Sequence, residues 1–489
     1  MSTSTSRVQF RIAQPDRLFI GGQWVEPSSS GRIEVINPAT EQVIARVAEA
    51  RNADMDRAVA AARAAFDDGH WPQLSHAERA ACVLRLADAL EARTNELANA
   101  YTEQVGGLAS FAPIMVGGGT FQLRYFAGLA DSYPFETRGP ASLGPGTNVI
   151  RREPVGVVAA IVPWNAPYGI MAQKIGPALV AGCTLLLKPS PETPIEAYLI
   201  AECAAAAGFP PGVINLLPAH REASDHLVCN PGVDKVSFTG STVAGRRIGQ
   251  VCAERVARVT LELGGKSAAI MLDDFPVEDA SRILTGSICV MTGQVCATLS
   301  RVLVPRAKVP HFADAFVEAM RGVKVGDPYD PASQMGPLAM ERQLRRVEGY
   351  IAKGLEQGAK LATGGRRPPH LDRGYYFEPT LFTEVDNRMT ISQEEIFGPV
   401  ICLIPYDTED DAVRVANDTI YGLNGAVFTP DPEHAYRVAR RLRSGCVGQN
   451  GLKLDFTAPY GGFKQSGIGR EGGPENFQAY TETKTILLD

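Results

Sequence analysis

The chain has 489 residues, of which 45% are hydrophobic and 21% are charged. These fractions are typical of soluble globular proteins, so a fibre or a disordered chain is excluded, and the length predicts about two to four domains. The 48 Lys plus Arg and 54 Asp plus Glu give a formal net charge of −6, which argues against a protein that mainly binds nucleic acid or anionic membranes.

The first part of the chain contains two alanine-rich segments with helical spacing, Ala53–Phe66 and His76–Tyr101, and a predicted strand over Ser142–Arg152. After Val155, short Val-, Ile- and Leu-rich runs alternate with helical segments. Strands are predicted over Val155–Val162, Thr184–Leu187, Val213–Leu217, Lys235–Phe238 and Arg258–Leu261, and helices over Tyr168–Ala181 and Pro194–Ala207. Alternation of this kind predicts a parallel sheet with helices on both faces.

A second stretch of the same character follows, from about Ser267 to Pro459. Strands are predicted over Ala268–Leu272, Ser300–Val304, Val400–Pro405 and Gly425–Phe428, and helices include His311–Arg321 and Met340–Glu356. We therefore predict an α/β protein with two doubly wound, Rossmann-like domains.

No segment predicts a membrane anchor, a secretory signal or a metal site. The longest apolar run, Ile175–Leu187, is interrupted by glycine and proline and is too short to span a bilayer, and the N-terminal segment has no apolar core. The nine cysteines are scattered and include no Cys-x-x-Cys pair. This usage fits neither a disulfide framework nor a zinc site, and it favours a reducing, cytoplasmic location.

Two strand ends carry candidate ligand-binding or catalytic residues. After the strand that ends at Phe238, Gly240 and Ser241 open a helix containing Gly245, and free N–H groups at such a start attract phosphate. The spacing is GxxxxG, not GxGxxG, so a packing turn remains open. Glu262 ends the next strand and precedes two glycines, where it is either a general base or a structural glutamate.

Two loop segments carry further candidates. Cys296 lies in MTGQVCATLS, a small polar turn, and is either a nucleophile or, as for most buried cysteines, a small hydrophobic residue. Trp164 and Asn165 follow a strand that ends at Pro163, at the sheet edge where ligands bind in such folds. The Asn165 amide is either an oxyanion donor or an ordinary turn residue.

In this order, the segments resemble the aldehyde dehydrogenase superfamily, of the NAD(P)-dependent, non-acylating kind. The resemblance extends from Phe19–Gly22 to Ala479–Glu482. It rests on the motifs PWN (163–165), LLLKPS (185–190), FTGST (238–242), LELGGKS (261–267), GQVC (293–296), EEIFGPV (394–400) and PYGGFKQSGIGRE (459–471). It implies an oxidoreductase that converts an aldehyde into a carboxylic acid.

The resemblance also implies a role for each matching residue. Cys296 would add to the aldehyde as the nucleophile, and Asn165 with the Cys296 N–H would form the oxyanion hole. Glu262 would activate the water that hydrolyses the thioester, while Glu471 and Lys174 would help to relay its proton. The implied cofactor-binding residues are Trp164, Lys188, Thr239, Gly240, Ser241, Gly245, Leu263, Gly264, Glu395 and Phe397.

One departure from the family pattern concerns the choice of dinucleotide. NAD-preferring members have a glutamate three residues after the ribose-binding lysine, but this chain has Pro191 there and an acid one position later, at Glu192. The absence of this glutamate removes a hydrogen-bond acceptor for the ribose 2′-hydroxyl. It also removes a negative charge that would repel a 2′-phosphate. We expect NAD, with NADP possible, because no new arginine stands in that loop to pair a phosphate.

The positions that match the family's substrate tunnel are mostly apolar and uncharged: Phe121, Ala166, Gln173, Val295, Ala297, Leu454 and Tyr460. They supply no aromatic cage of the kind that binds quaternary ammonium groups, so we expect an uncharged aliphatic or aromatic aldehyde.

The resemblance further implies a division of the chain. Residues 1–128 and 150–261 would form the NAD(P)-binding domain, 262–459 the catalytic domain, and 129–149 with 460–489 an oligomerisation and bridging element. A hairpin at 129–149 and a strand near Lys484–Leu488 would join a neighbouring subunit, so we expect a homodimer or homotetramer.

Three other functions are weighed against this one. An acylating, CoA-dependent member would typically lack the base glutamate, whereas Glu262 is present. A non-catalytic homologue would tolerate loss of Cys296, Glu262 or Asn165, and all three are intact. A Cys–His hydrolase would need a histidine in the motif segments, and the seven histidines lie elsewhere.

Overall fold

The computed structural model describes residues 10–489. Its strands are β1 (Leu18–Ile20), β2 (Gln23–Val25), β3 (Arg32–Ile36), β4 (Val43–Ala48), β5 (Glu136–Pro140), β6 (Thr147–Pro154), β7 (Val157–Ile161), β8 (Thr184–Lys188), β9 (Ile214–Leu216), β10 (Lys235–Thr239), β11 (Arg258–Glu262), β12 (Ser267–Met271), β13 (Leu299–Pro305), β14 (Lys360–Thr363), β15 (Thr380–Thr383), β16 (Val400–Tyr406), β17 (Asn424–Phe428), β18 (Cys446–Gln449), β19 (Gly467–Ile468) and β20 (Thr481–Leu488).

The helices are α1 (Asn52–Asp67), α2 (His76–Glu91), α3 (Thr94–Val105), α4 (Ala112–Gly128), α5 (Pro167–Ala181), α6 (Ile195–Ala207), α7 (Arg221–Cys229), α8 (Thr242–Glu254), α9 (Val277–Cys289), α10 (Val309–Arg321), α11 (Glu341–Glu356), α12 (Thr390–Gln393), α13 (Glu409–Asn417) and α14 (Pro432–Ala439). Short 3₁₀ segments include Val290–Gly293 and Pro474–Tyr480.

The first large sheet has the strand order β19-β11-β10-β7-β8-β9-β1-β2, and its five central strands, β11 to β9, run parallel. Every residue of β7 and β8 is buried, because helices cover both faces of the sheet. This burial explains why these strands are continuous apolar runs instead of alternating ones. The predicted α/β fold with parallel sheets is confirmed.

The second large sheet has the order β14-β15-β16-β13-β12-β17-β18 and is parallel apart from β14. Two apolar clusters cover it, one on each face; Leu303 and Val427 belong to one cluster, and Val302 and Phe428 to the other. Neighbouring residues of one strand thus enter different cores, as the alternation of side chains along a strand requires.

A third, antiparallel sheet has the order β20-β6-β5. All eight residues of β20 pair with β6, from Thr481 opposite Pro154 to Leu488 opposite Thr147. The predicted strand over Ser142–Arg152 begins five residues too early, because Gly144 and Gly146 have φ of +80° and +137° and form the turn between β5 and β6. The boundary proposed at residue 150 falls within β6, and the domain division stays a prediction.

The single helix expected over His76–Tyr101 is wrong, since the chain forms α2 and α3 with a break at Ala92–Arg93. Arg93 has φ −107° and ψ 18°, and its guanidinium pairs with Glu96 and with Glu202 on α6. The turn thus directs a charged side chain to a distant partner, which local helical spacing does not reveal. Within residues 10–489, no helix has both the length and the apolar character needed to cross a bilayer.

Candidate active site

The candidate catalytic residues meet between the two large sheets. Lys188 ends β8, and Thr239 and Glu262 end the neighbouring strands β10 and β11, where they are paired in register. Asn165 follows β7 at the same edge. The carboxyl ends of parallel strands are where open α/β sheets bind ligands, so the first sheet supplies one wall of the site.

Two glycines allow Cys296 to approach that wall. A Cβ on Gly265 would lie 2.5 Å from the Cys296 carbonyl oxygen, and one on Gly293 (φ +71°) would lie 2.2 Å from the Gly398 oxygen. Met291 and Thr292 also have positive φ, of 50° and 56°. This tight path places Cys296 just before β13, opposite the end of β11.

The surroundings of Cys296 keep its thiol protonated. Burial raises its pKa to about 12, and the carboxyl groups of Glu395 and Glu262 act in the same direction. The Tyr460 hydroxyl, 3.7 Å from Sγ, opposes them because it can donate a hydrogen bond to the thiolate. The thiol therefore needs a nearby proton acceptor to become a nucleophile near neutral pH.

Glu262 is a buried carboxyl group without a hydrogen-bond partner. It is 4% exposed, and within the described chain neither of its oxygens has a protein partner. Burial raises its pKa well above the usual value, and the adjacent Glu471 raises it further, while Lys174 and Arg470 oppose the shift. A carboxyl group with a raised pKa and unengaged oxygens can exchange protons at neutral pH.

A buried polar network lies near Glu262 without a hydrogen bond to it. Lys174 Nζ lies 2.5 Å from Glu471 Oε1 and donates to Ser237 Oγ at 3.2 Å. Ser237 donates in turn to Glu471 at 3.1 Å and accepts from the Tyr480 hydroxyl at 3.2 Å. The structure thus brings together the predicted Glu262, Glu471 and Lys174. It adds Ser237 and Tyr480, which the sequence analysis did not identify.

Asn165 is buried, and its Nδ2 donates to the Gln294 carbonyl oxygen at 2.9 Å. A side-chain amide nitrogen carries two hydrogens, so this bond fixes the direction of the second one. Gln294 lies two residues before Cys296, and the bond therefore ties the Asn165 amide to the segment that carries the thiol.

The predicted cofactor-binding residues line the same edge of the first sheet. Ser241 caps α8, its side chain accepting from the Ala244 N–H at 3.3 Å. Glu395 accepts from the Gly265 N–H at 3.1 Å, and burial raises its pKa to about 7. The rings of Trp164 and Phe397 pack perpendicularly, with centroids 5.2 Å apart.

The glycines near this edge permit close packing. A Cβ on Gly245 would lie 2.4 Å from the Leu263 side chain, so Gly245 is a contact between α8 and the chain after β11. A Cβ on Gly264 would lie 2.6 Å from Glu395 Oε2. Gly264 therefore keeps the space beside the Glu395 carboxyl open.

An arginine that the sequence analysis did not identify reaches the loop after Lys188. Arg342 of α11 pairs with Glu192 at 2.8 Å, and Ser190 Oγ also donates to Glu192. Burial lowers the pKa of Lys188 to about 8, an effect that nearby Glu192 opposes. No local signal predicts this contact, because Arg342 is 150 residues away along the chain.

The seven residues expected in the substrate tunnel differ in exposure. Gln173 and Ala297 are buried, Ala166 and Val295 are partly buried, and Tyr460 contacts Cys296. Phe121 on α4 and Leu454 are 48% and 47% exposed, and they lie with Phe456 on an apolar surface where the Tyr125 hydroxyl donates to the Thr457 carbonyl oxygen. The exposed side chains of Phe121, Leu454 and Phe456 are called the apolar rim below.

The family model described as "Aldehyde dehydrogenase family" matches residues 24–486. The chain belongs to the aldehyde dehydrogenase family. It is therefore an oxidoreductase that converts aldehydes into acids, as the motifs implied. Across residues 10–489 of this aldehyde dehydrogenase, no cluster of three or more His, Cys, Asp or Glu could hold a metal ion.

Curated relatives of this aldehyde dehydrogenase match over nearly their whole length. Geranial dehydrogenase of Castellaniella defragrans is 45% identical over 472 residues, 96% of this chain and 98% of the relative. A 3-succinoylsemialdehyde-pyridine dehydrogenase of a Pseudomonas species is 43% identical over 476 residues, with the same coverage of each chain.

Solved structures of the family have the same fold. A Mycobacterium tuberculosis aldehyde dehydrogenase in complex with NAD⁺ has a TM-score of 0.93 and 45% identity, covering 97% of this chain and 98% of that one. A cysteine-to-alanine variant of aldehyde dehydrogenase C from Pseudomonas syringae, in complex with NAD⁺ and octanal, has a TM-score of 0.94 and 41% identity, covering 98% of each chain.

Proposed function

We propose that this aldehyde dehydrogenase oxidises an uncharged aliphatic or aromatic aldehyde with NAD, through a covalent intermediate on Cys296. The observation that carries the proposal is the placement of a thiol beside a buried carboxyl group without a partner. Glu262 is close enough to Cys296 to raise the pKa of its thiol, and its own oxygens are unengaged. A nucleophile and a proton acceptor are the two groups that covalent aldehyde oxidation requires.

The residues at the sheet edge fit a dinucleotide. Thr239 Oγ1 is buried without a protein partner in the described residues, Gly264 leaves space beside the Glu395 carboxyl, and the capped start of α8 offers N–H groups suited to a phosphate. Lys188 would hold the adenosine ribose, Gly240 and Ser241 would lie at the pyrophosphate, and Glu395 would hold the nicotinamide ribose. Bound NAD supplies the acceptor for the hydride that leaves the substrate carbon. Two solved relatives are NAD⁺ complexes.

In the first half of the reaction, Cys296 Sγ adds to the aldehyde carbonyl carbon and the thiol proton passes to water in the site, so the addition does not require Glu262. The carbonyl oxygen gains negative charge, which the oriented second hydrogen of the Asn165 amide and the Cys296 N–H stabilise. The product of this addition is a thiohemiacetal, and loss of its hydride leaves a thioester on Cys296.

In the second half, Glu262 accepts a proton from water as the water attacks the thioester carbonyl. The carbon–sulfur bond breaks, the carboxylic acid leaves, and Cys296 becomes a thiol again. Lys174 and Glu471 lie in contact with each other behind Glu262 and provide a route for the proton. The raised pKa of Glu262 makes its carboxylate a stronger base than that of an ordinary glutamate.

The apolar rim supports an uncharged substrate. Phe121, Leu454 and Phe456 present exposed apolar surface beside α4, and none carries a charge. Geranial and octanal, which the names of two relatives contain, are uncharged aldehydes.

The outer strands support self-association. In the described chain β20 is an outer strand of its sheet and β18 an outer strand of another, so their free edges are suited to pairing between copies. We propose a homodimer or homotetramer in the cytoplasm.

The test is the time course of NADH formation with octanal and with benzaldehyde, for the wild type, Cys296→Ala and Glu262→Gln. We expect steady turnover in the wild type and none in Cys296→Ala, which still binds NAD. Glu262→Gln should give a burst of about one NADH per active site and then a steady rate at least about 10²-fold slower, because hydrolysis of the thioester stalls. Steady turnover by Cys296→Ala would refute the nucleophile, and an unchanged steady rate in Glu262→Gln would refute the base.

A further inference from the structure

The Glu192–Arg342 ion pair lies at the end of β8, beside the lysine proposed to hold the adenosine ribose. The chain turns at Ser190–Thr193, where the Thr193 N–H donates to the Ser190 carbonyl oxygen at 3.2 Å. The turn directs Glu192 back over Ser190, which donates to one carboxylate oxygen, while Arg342 Nη2 lies 2.8 Å from the other. Both carboxylate oxygens of Glu192 are therefore engaged.

Arg342 is held in place by its helix. The neighbouring Gln343 donates to the Phe397 carbonyl oxygen at 2.7 Å, and Arg346 donates to the Ile396 carbonyl oxygen at 3.2 Å. These bonds anchor the start of α11 to the segment that carries Glu395. The Arg342 side chain is 68% exposed and the Glu192 side chain 22%, so the arginine approaches Glu192 from the open side of the cleft.

NAD and NADP differ by a phosphate on the 2′-hydroxyl of the adenosine ribose. A carboxylate at this position repels that phosphate, whereas a free arginine pairs with it through two parallel hydrogen bonds. Pro191 has no side-chain acceptor, but Glu192 keeps one carboxylate in the same turn and occupies the one arginine that reaches it within the described chain.

We propose that Glu192 and Arg342 together set the dinucleotide preference of this enzyme. Glu192 repels a 2′-phosphate and holds Arg342 in an ion pair, so NAD binds better than NADP. Loss of the Glu192 charge releases Arg342, which then pairs with the 2′-phosphate. This inference rests on the proposed use of a dinucleotide and goes beyond it by assigning the selecting residues.

The test is calorimetric titration of NAD and NADP into the wild type, Glu192→Gln, Arg342→Gln, the double variant and Glu341→Gln. Glu341 is the matched control, because it removes one negative charge from the same helix start but pairs with Arg345 and not with the turn. In Glu192→Gln we expect NADP to bind about tenfold more tightly, with NAD changed by less than about twofold. Arg342→Gln should bind NADP no more tightly than the wild type does. The double variant should not show the increase in NADP affinity that is expected in Glu192→Gln.

An NADP affinity in Glu192→Gln within about twofold of the wild type would overturn the inference. An equal increase in NADP affinity in Glu341→Gln would also overturn it, and so would an increase that persists in the double variant. The titration contains no aldehyde, so it does not depend on Cys296. If the NADP affinities change as expected but the wild type oxidises no aldehyde, only the proposed function is refuted. An active enzyme with unchanged NADP affinity in Glu192→Gln would refute the dinucleotide switch alone.

Discussion

The protonation states of two side chains, Cys296 and Glu262, determine what each can do in the candidate site. The Cys296 thiol and the Glu262 carboxyl both have raised pKa values because both are buried and each lies near other acidic groups. A protonated thiol is a weak nucleophile, so the raised pKa predicts slow reaction of Cys296 with alkylating agents near neutral pH. Tyr460 is the neighbour that favours the thiolate, through the contact of 3.7 Å between its hydroxyl and Sγ.

The first residue-scale prediction concerns alkylation of Cys296. Since the thiol pKa is raised from 9.0 to about 12, the thiolate fraction is small at pH 7 and rises about tenfold per pH unit. We expect the rate of Cys296 modification by iodoacetamide, without cofactor, to increase in this way from pH 7 to 9.5 without levelling off. In Tyr460→Phe the rate should be lower at every pH, because the hydrogen bond that lowers the thiol pKa is absent.

Mass spectrometry of the peptide containing Cys296 measures this rate separately from the other eight cysteines. Tyr436→Phe, which changes an exposed tyrosine on α14, is the control and should behave as the wild type. A plateau below pH 9, or faster alkylation in Tyr460→Phe, would contradict the assignment.

Among single residues, the sequence predicts the candidate catalytic side chains better than the distant side chains that contact the site. Cys296, Glu262, Asn165 and Glu471 lie in contiguous motifs and are therefore identifiable from one sequence, whereas Lys174 lies between two motifs and is assigned only by its position in the family pattern. Arg342 is not identifiable from one sequence, because only the packing of α11 brings it to Glu192. Ser237 is an intermediate case: Lys235, Ser237 and Thr239 alternate along a buried strand, and such a polar face within an apolar element is a signal that the sequence does contain.

Among the elements, β10 and the 3₁₀ segment Pro474–Tyr480 connect the catalytic edge with the chain's last strand. Ser237 of β10 bridges Glu471 and Tyr480, and Lys235 of β10 donates to Thr260 at 2.6 Å while lying over the Tyr480 ring. Tyr480 immediately precedes β20. The buried polar network is thus shared by the site and by the base of the third sheet.

The element-scale prediction is that Tyr480→Phe impairs the network without changing substrate binding. Ser237 then loses a donor, and we expect kcat to fall several-fold at unchanged KM, with about 1 kcal/mol less stability. Steady-state kinetics from pH 6 to 10 and urea unfolding measure the two effects. The charged or titratable groups facing Glu471 are Lys174, Lys235, Glu262 and Tyr480.

Ser237→Ala should reproduce the loss of kcat, since it removes the bridge itself, whereas Ser237→Thr should restore part of it. If Tyr480→Phe lowered stability and left both kcat and its pH profile unchanged, the network would be structural only.

Parallel pairing follows from sequence at this scale because buried parallel strands need continuous apolar runs, whereas the order of the strands in each sheet comes from the structure. The break between α2 and α3 and the late start of β6 do not follow from sequence, since the first depends on the Arg93–Glu202 pair and the second on two glycine turns. The short strands β1 to β4 also lay outside the prediction, although β3 alternates between exposed and buried residues, a signal that the sequence does contain.

At the scale of the whole molecule, the proposed self-association would use the free edge of β20. This strand ends in two exposed apolar residues, Leu487 at 74% and Leu488 at 46% exposure. Leu487→Asp should halve the mass of the assembly, from tetramer to dimer or from dimer to monomer. The reason is that a carboxylate would be buried without a partner in the contact between copies. Light scattering after size-exclusion chromatography measures the mass.

Val256→Asp is the control, since Val256 is equally exposed, at 76%, after α8 and outside the third sheet. An unchanged mass in Leu487→Asp, or an equal loss in the control, would contradict the role of β20 in assembly.

The backbone bridge between Tyr460 and Glu471 has a consequence for the order in which the protein is made. Tyr460 donates to the Glu471 carbonyl oxygen at 2.6 Å and accepts from its N–H at 2.7 Å, so one late segment delivers both the partner of Cys296 and the partner of Lys174. A ribosome that has synthesised every strand of the two large sheets except β19 has therefore not yet synthesised Tyr460 or Glu471. A chain that ends before residue 460 would contain the Cys296 thiol but neither Tyr460 nor Glu471. We therefore expect a prematurely terminated product to have no aldehyde dehydrogenase activity.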